Sequence, residues 1–414
     1  MEVIKRIETR KGANLNLNGI AEKILDKTLS VNTYGLRPDD FFGTTPKLCL
    51  KEGSNILAGT PIFYSKKTPD IKIVSPISGI IKKILRGPKR KIENIIIESS
   101  TNQESITHEV KGWKKMDINN LKQLLMESGN WSFIHQRPYG IMANPLDTPK
   151  SIFVSTAKTD PLHEDYHFVL KEDQKEFQLG IDLLNRLVDQ PVFLGLDKSY
   201  PGYFESIEGV QHYSFEGPHP AGNLSLHIQK LSPLNMNDHV WTVNPEDVVN
   251  IGRFISSGVF SPQRTVAVSG NAVENPKYFK TKIGAELAPI LNKVGIKFDN
   301  VRIINGDVLT GSTALISDYL GYFNNLVTVI PEGSHYRMFG WLPFKDNKIL
   351  SLSNTSFSRL FNRKGFEVDT NLNGEERALV VTGEMEKIFP LDIYPMQLIK
   401  ACMTEDIEKM EALG

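Results

Sequence analysis

Residues 64–98, YSKKTPDIKIVSPISGIIKKILRGPKRKIENIIIE, constrain the fold more than any other stretch of the chain. Three isoleucine-rich runs, Ile71–Val74, Ile80–Leu85 and Ile92–Ile97, are cut by Ser75-Pro76-Ile77-Ser78-Gly79 and by Arg86-Gly87-Pro88-Lys89-Arg90. β-branched residues fit a pleated, half-buried surface, and Pro/Gly breaks fit tight turns, so the spacing predicts short antiparallel strands. Residues 47–64 have the same character. Together these strands predict a small β-sandwich.

Sandwiches of the lipoyl or biotinyl type carry a modified lysine at a hairpin tip, between methionines or acidic residues. The comparable turn here, Ser65-Lys66-Lys67-Thr68-Pro69-Asp70, has lysines without the flanking methionines. A motif counts only in its context, so the module is read as architecture with no covalently bound group. Its second turn lies in a basic run, Lys82, Lys83, Arg86, Lys89, Arg90 and Lys91. Such a run reads first as a solvated face. Its functional alternative is a docking surface for an acidic partner or anionic headgroups, with Arg86, Lys89 and Arg90 as the contact residues.

The chain has 414 residues, too many for one core, which predicts about two to four domains. Lys+Arg and Asp+Glu each total 48, so the zero net charge gives no electrostatic case for nucleic acid. Cys49 and Cys402 are the only cysteines, which excludes a disulfide framework and any four-cysteine iron–sulfur or zinc site within the chain. No run approaches the roughly 20 apolar residues of a membrane helix. The opening MEVIKRIETRKG lacks the apolar core of a signal peptide. The chain reads as soluble and cytoplasmic, touching a membrane only through partners.

Residues 1–100 are assigned to an N-terminal region with the sandwich, and 101–128 to a polar linker ending in a helix near Asn119–Ser128. In 129–256, Ser151–Ser155 reads as a buried strand. Phe177, Ile181, Leu184 and Val188 recur at helical spacing over Asp173–Asp189. Pro191–Leu196 and Gly209–Phe215 are further strands. Strand, helix and strand predict a Rossmann-like parallel α/β domain, yet no Gly-rich or P-loop motif follows any strand, so no nucleotide site is assigned. Residues 257–333 show strands at Thr265–Gly270, Val301–Asp307 and Leu326–Ile330 around a helix near Ile283–Leu291, which suits a β-grasp (SLBB-like) domain. Residues 334–414 read as a mixed region with hairpin material at Arg377–Thr382 and a terminal helix from about Tyr394-Pro395-Met396. The fold class expected is therefore α/β multidomain.

Two motifs carry chemistry on paper. His163-Glu164-Asp165-Tyr166-His167 matches HExxH, whose histidines would share a helix face and bind zinc. Pro161 just upstream, the charged Asp165 and the lack of a third ligand favour an exposed loop or helix start instead. Gly217-Pro218-His219-Pro220-Ala221-Gly222 makes a stiff loop after a strand. It is followed by Leu226-His227-Ile228 and Asp238-His239-Val240-Trp241. Neutral histidine and tryptophan in a cleft suit a planar carbonyl ligand; a rigid corner with no ligand is the alternative.

End to end, the chain resembles the A subunit of bacterial sodium-translocating NADH:quinone oxidoreductases, and more distantly the C subunit of the related ferredoxin–NAD complex. The blocks carrying the resemblance are Lys66-Lys67, Pro76–Gly79, Arg86–Arg90, Gly217–Gly222, Val240-Trp241, Asp247–Val249, Ile251-Gly252, Val308–Gly311 and Pro390–Pro395. The resemblance implies a fold related to the flavin- and NADH-binding subunit of respiratory complex I. It implies a peripheral subunit on the cytoplasmic face of a six-subunit inner-membrane complex that passes electrons from NADH to quinone and pumps sodium. In that family this subunit carries no flavin, NADH or iron–sulfur centre, so the isolated chain is expected to be inactive. A link to ubiquinone or menaquinone is implied; in this chain the chemistry of these loops makes His219, Pro220, Gly222, His227 and Trp241 the expected binding residues. The other subunits, chiefly the membrane quinone and flavin subunit, are the expected partners. The alternative is a pure assembly module that binds no small molecule. Family members continue a few tens of residues beyond Glu411-Ala412-Leu413-Gly414, so the ending reads as truncated, with a frayed helix and a missing docking surface.

Overall fold

In the computed structural model, residues 5–197, 202–260, 262–335, 350–351, 358, 365–373 and 378–413 are described. Two short strands come first, β1 (Lys5–Glu8) and β2 (Leu25–Asp26), and neither joins the domain that follows them. That domain is a sandwich of two antiparallel sheets. One sheet orders β3 (Thr33–Leu36), β9 (Ile92–Ser99), β8 (Gly79–Arg86) and β5 (Asn55–Ile56); the other orders β4 (Pro46–Leu48), β6 (Pro61–Ser65) and β7 (Lys72–Val74). Ile73, Ile81, Ile95 and Ile97 turn inward and are fully buried, while Lys82, Lys83 and Glu98 face water. The alternation fixes the register of the β8–β9 ladder, apart from irregularities between Ile81 and Lys83 and between Leu85 and Arg86. All three isoleucine runs are strands, as their spacing predicts.

Residues 101–117 do not hang free. Ser105 bridges to Ala58, Thr107 bridges to Val259, and Trp113 is buried, so the segment is pinned between the sandwich and the next domain. Helix α1 (Ile118–Glu127), capped by the Asp117 side chain, leads into a sheet of seven strands. Its strands are β10 (His135–Arg137), β11 (Ile141–Met142), β12 (Ile152–Ser155), β13 (Val192–Asp197), β14 (Gln211–Glu216) and β15 (Val240–Thr242), joined at one edge by β1. The order is β1-β14-β13-β12-β15-β10-β11, and the first five run parallel. Strands buried on both faces need continuous apolar runs, which is what Ile152-Phe153-Val154 and Val192-Phe193-Leu194 supply.

Helices cover both faces of that sheet. On one side α2 (Tyr166–Val169) and α3 (Gln174–Leu187) link β12 to β13, and α3 packs along α5 (Pro245–Ser257). Phe177, Ile181 and Leu184 sit at 0% exposure on the predicted stripe of α3. On the other side α4 (Leu224–Leu231) covers Phe153, Phe193, Tyr213 and Phe215.

The third sheet orders β19 (Ser312–Ala314), β18 (Val301–Asn305), β20 (Leu326–Pro331), β16 (Gln263–Ser269), β17 (Lys277–Lys282) and β2. β16 and β17 form a hairpin, and β20 runs parallel to β16. The helix between them, α6 (Leu287–Val294), starts four residues later than its apolar spacing suggests. Gly284 is left-handed at φ 74°, and bridges from Ala285 to Tyr34 and from Glu286 to Tyr319 hold the preceding residues extended. Beyond residue 377 there are α7 (Glu384–Ile388), α8 (Pro395–Met403) and α9 (Ile407–Leu413). Of the expected hairpin at 377–382, Arg377 lies outside the described residues and 378–382 form no strand. No described helix is long and apolar enough to cross a membrane.

Candidate functional site

In an open parallel sheet, ligands bind beyond the carboxyl ends of the strands where the winding reverses. Here β12 is followed by β13 and β14 on one side and by β15 on the other, so the reversal lies between β12 and β15. A cleft of about 870 Å³ opens at that place. Ser155 ends β12 and Thr242 ends β15 on its floor, and Asn223 and Asn244 precede helices α4 and α5 on its walls. His135 and Phe323 close it from the β10 hairpin and the third domain. A smaller polar cavity of about 340 Å³ adjoins it, reaching Arg37 and Asn325, and shares Lys158, Asp160, Thr310 and Phe323 with the cleft.

The charged centre of this region is Lys158. Its Nζ lies 2.7 Å from Glu164 Oε1 and 5.5 Å from the Tyr166 ring centroid, and the Glu164 side chain is only 1% exposed. Burial works against both charges. The attraction of Glu164, helped by Asp160 and Asp307, nevertheless raises the ammonium pKa, and the attraction of Lys158 lowers that of the carboxyl. Tyr166 accepts from Asn244 Nδ2 at 2.8 Å. Burial, then the neighbouring Arg137 charge, pushes His135 down to about 4, so it is a neutral imidazole, edge-on to Phe323 at 4.5 Å.

The HExxH segment meets this centre in an unforeseen way. Asp165 caps α2, accepting from His167 N and Phe168 N, so the helix starts after Glu164 and the two histidines do not share a helical face. The segment is thus a helix start, but not an exposed one, since Glu164 is buried on Lys158. His163 Nδ1 approaches the Glu164 carbonyl at 2.9 Å, and His167 packs edge-on against Phe204. Among the described residues no group of three His, Cys, Asp or Glu is arranged to hold a metal.

The five residues expected at a quinone site are split by the fold. Gly222 lines the cleft, and its N–H donates to Thr159 Oγ1 at 2.9 Å. That hydroxyl lies 3.1 Å from His219 Nδ1, which places His219 and Pro220 behind the wall. His227 is fully buried: Nε2 donates to the Ala221 carbonyl at 2.7 Å and Nδ1 accepts from the Tyr213 hydroxyl at 2.9 Å. Burial pushes it down to about 4, so it is neutral, but both nitrogens are used within the core and it lies outside the cleft. Trp241 is equally buried, edge-on to Trp131 at 5.5 Å, while its neighbour Thr242 faces the cleft. These two residues therefore support the site from behind; they do not form a surface a ligand could touch. Lys158, His135 and Asn244 belong to no motif in the sequence, although Lys158 lies three residues beyond a predicted strand end.

None of the basic turn's residues lines the cleft, and the turn is half spent on its own fold. Lys82 pairs with Glu98 at 2.9 Å, Lys91 pairs with Asp39 at 2.7 Å, and Arg86 donates to the Arg90 carbonyl at 3.2 Å. Lys89 and Arg90 are exposed, with left-handed backbones at φ 54° and 62°.

The sheets and their cleft define a multidomain α/β protein with a barrel-sandwich domain at its N-terminal side. Three family models match it: "NqrA N-terminal barrel-sandwich hybrid domain" over residues 7–100, "NqrA second alpha/beta domain" over 116–260 and "NQRA C-terminal domain" over 265–315. Curated relatives, each named as the A subunit of a Na(+)-translocating NADH-quinone reductase, match from end to end. The one from Alcanivorax borkumensis is 33% identical over 99% of this chain and 92% of its own length. Those from Neisseria gonorrhoeae and Pasteurella multocida are 31% and 32% identical at the same coverages. The chain belongs to the family of A subunits of the Na(+)-translocating NADH-quinone reductases. Among solved structures, an NAD+-reducing [NiFe]-hydrogenase aligns over 56% of this chain and 52% of its own, at 13% identity and a TM-score of 0.37, a likeness that carries no argument.

Proposed function

We propose that the chain serves as a peripheral subunit of a sodium-translocating NADH:quinone reductase, seated on the cytoplasmic face of the inner membrane. It carries no redox centre of its own and takes a quinone head group, of ubiquinone or menaquinone, in the cleft between β12 and β15. The observation that carries this reading is the coincidence of a roomy cleft with the switch point of the parallel sheet, in a member of this family. Apolar walls at Ala157, Ile228 and Val243 give a flat ring a place to bury, and Asn244 at the start of α5 supplies a polar edge. Gly222 would touch the ligand, with His219, Pro220, His227 and Trp241 supporting that wall. Domains at 1–100 (lipoyl-like), 129–256 (Rossmann-like, without a nucleotide motif) and 257–333 (β-grasp), with a linker at 101–128 and a C-terminal region at 334–414, complete the assignment.

Titrating the intact chain with a short-chain quinone tests the reading. Trp241 precedes Thr242 on the floor, so saturable quenching of tryptophan fluorescence is expected; absence of any saturable change overturns it.

A second reading is a pure assembly module gripping a partner, chiefly the membrane quinone and flavin subunit, through Arg86, Lys89 and Arg90. The exposure of Lys89 and Arg90 favours it. Charge reversal, Lys89→Glu with Arg90→Glu, is expected to weaken co-purification of the complex at low salt and to abolish the salt-dependent loss shown by the wild type. Unchanged assembly across a salt series would sink the docking role.

A further inference from the structure

The cleft has a polar centre that the proposed function does not by itself require. Lys158 stands where the cleft and the smaller cavity share a wall, with Glu164 buried behind it at 2.7 Å. An ion pair whose carboxylate is buried is a poor device for stability, because desolvation of that carboxylate consumes much of the attraction. What the pair does achieve is to fix an ammonium in place, with only one of its three N–H groups engaged by Glu164.

Several of the other charged groups of these walls have partners of their own. Arg37 is held by Asp40 at 2.8 Å, and Asp247 by Arg264 at 2.6 Å. Asp307 accepts from Leu309 N, Thr310 N and Thr310 Oγ1 in its own turn. Asp160 lies 3.7 Å from His219 Nδ1. Arg137 is exposed at the mouth, and His135 is neutral. Among the described residues, Lys158 is thus a fixed cation at the meeting point of the two cavities.

We propose that the Lys158 ammonium donates to a carbonyl oxygen of the quinone head group, with Tyr166 beside the ring; this rests on reading the cleft as a quinone site. The charge balance selects this class of ligand. Lys158 and Glu164 cancel, and Asp160 adds a negative charge, so a full anion such as a phosphate meets no net positive charge at the centre. A neutral carbonyl needs only a donor, and Lys158, held by Glu164 at 2.7 Å, supplies one. Lys158 is accordingly the residue that separates a quinone from a ring of the same shape without carbonyl oxygens.

The test compares two probes on the full-length chain: a 1,4-benzoquinone bearing a decyl chain, and the same ring with both carbonyls converted to methyl ethers. Wild type is expected to bind the quinone about tenfold more tightly than the ether, the range of a hydrogen bond from a charged donor. Lys158→Met is expected to lose that factor for the quinone and leave ether binding unchanged, while Lys158→Arg, which keeps a donor, restores part of it. Thermal melting of each variant shows whether it is folded. If Lys158→Met does not fold, the wild-type preference and Lys158→Arg decide the matter. A wild type that binds both probes equally, or a folded Lys158→Met that keeps the full preference, overturns the role of Lys158 while the quinone site stands. A wild type that binds neither probe removes the site itself, and Lys158 with it.

Discussion

Glu246 shows how costly a single buried carboxyl is to this fold. It lies at the start of α5 beside Asp247 and Arg264, all three essentially without exposure, where the central and third domains meet. Arg264 donates to Asp247 Oδ1 at 2.6 Å and to the Tyr322 carbonyl at 3.0 Å, while Glu246 stands 3.7 Å from the guanidinium and accepts from Thr265 N and Asn325 Nδ2. One guanidinium cannot neutralise two carboxylates. Burial, with the Asp247 charge adding to it, outweighs the attraction of Arg264 and pushes Glu246 up to about 7. The folded state therefore holds a proton that the unfolded chain releases near the ordinary glutamate range. Stability is expected to fall as pH rises from about 4.5 to 7, with a limiting slope of about 1.4 kcal/mol per pH unit, and to level off above. Glu246→Gln is expected to remove that slope, so urea midpoints measured across this window separate the two proteins more at pH 8 than at pH 5. The same scale explains what the sequence hid. Side chains alternate across a strand, so Trp241 and Thr242 face opposite ways, and nothing in Val240-Trp241-Thr242 says which face holds the cleft. Lys158 was nearer to legible, since it follows the predicted strand Ser151–Ser155 on the side where parallel sheets bind ligands.

Among the elements, α3 and α5 pack more closely than side chains allow. A Cβ on Gly180 would overlap the Val248 carbonyl, and one on Gly252 would overlap the Glu176 carbonyl. Each helix thus offers a glycine to the backbone of the other. Glycine inside a helix is unfavourable by about 1 kcal/mol against alanine, so its presence at both positions answers to this approach. Gly252→Ala is expected to gain helix propensity and still lose about 1–3 kcal/mol overall by forcing the helices apart, read as a lower denaturation midpoint. The apolar stripe Phe177, Ile181, Leu184 was readable because periodicity is local. The pairing of α3 with α5 was not, because it joins segments separated by three strands, and the delayed start of α6 depends on bridges to Tyr34 and Tyr319 that no local pattern contains.

At the scale of the molecule, residues 5–26 act as a strap. β1 extends the central sheet beside β14, with Arg6 paired to Glu216, and the Asn14 side chain accepts from His219 N at 3.1 Å. β2 extends the third sheet beside β17, where Asp26 meets Lys277 at 3.2 Å. Deleting residues 1–26 is expected to expose two sheet edges, speed amide exchange in β14 and β17 and promote self-association, measurable by hydrogen exchange and light scattering. In the sequence the segment falls in the N-terminal region without an assigned strand at β1 or β2, because a short edge strand borrows its hydrophobic setting from a distant partner. This has a temporal consequence. Arg6 and Glu216 are separated by 210 residues, and Lys277 and Asp26 by 251. At synthesis rates of about 5–20 residues per second, the strap leaves the ribosome roughly ten to fifty seconds before its partners exist. The sandwich of residues 33–99 can close in that interval, so the strap is made before both of its partners and placed only after them. It acts as a latch that shuts only after both later domains are present.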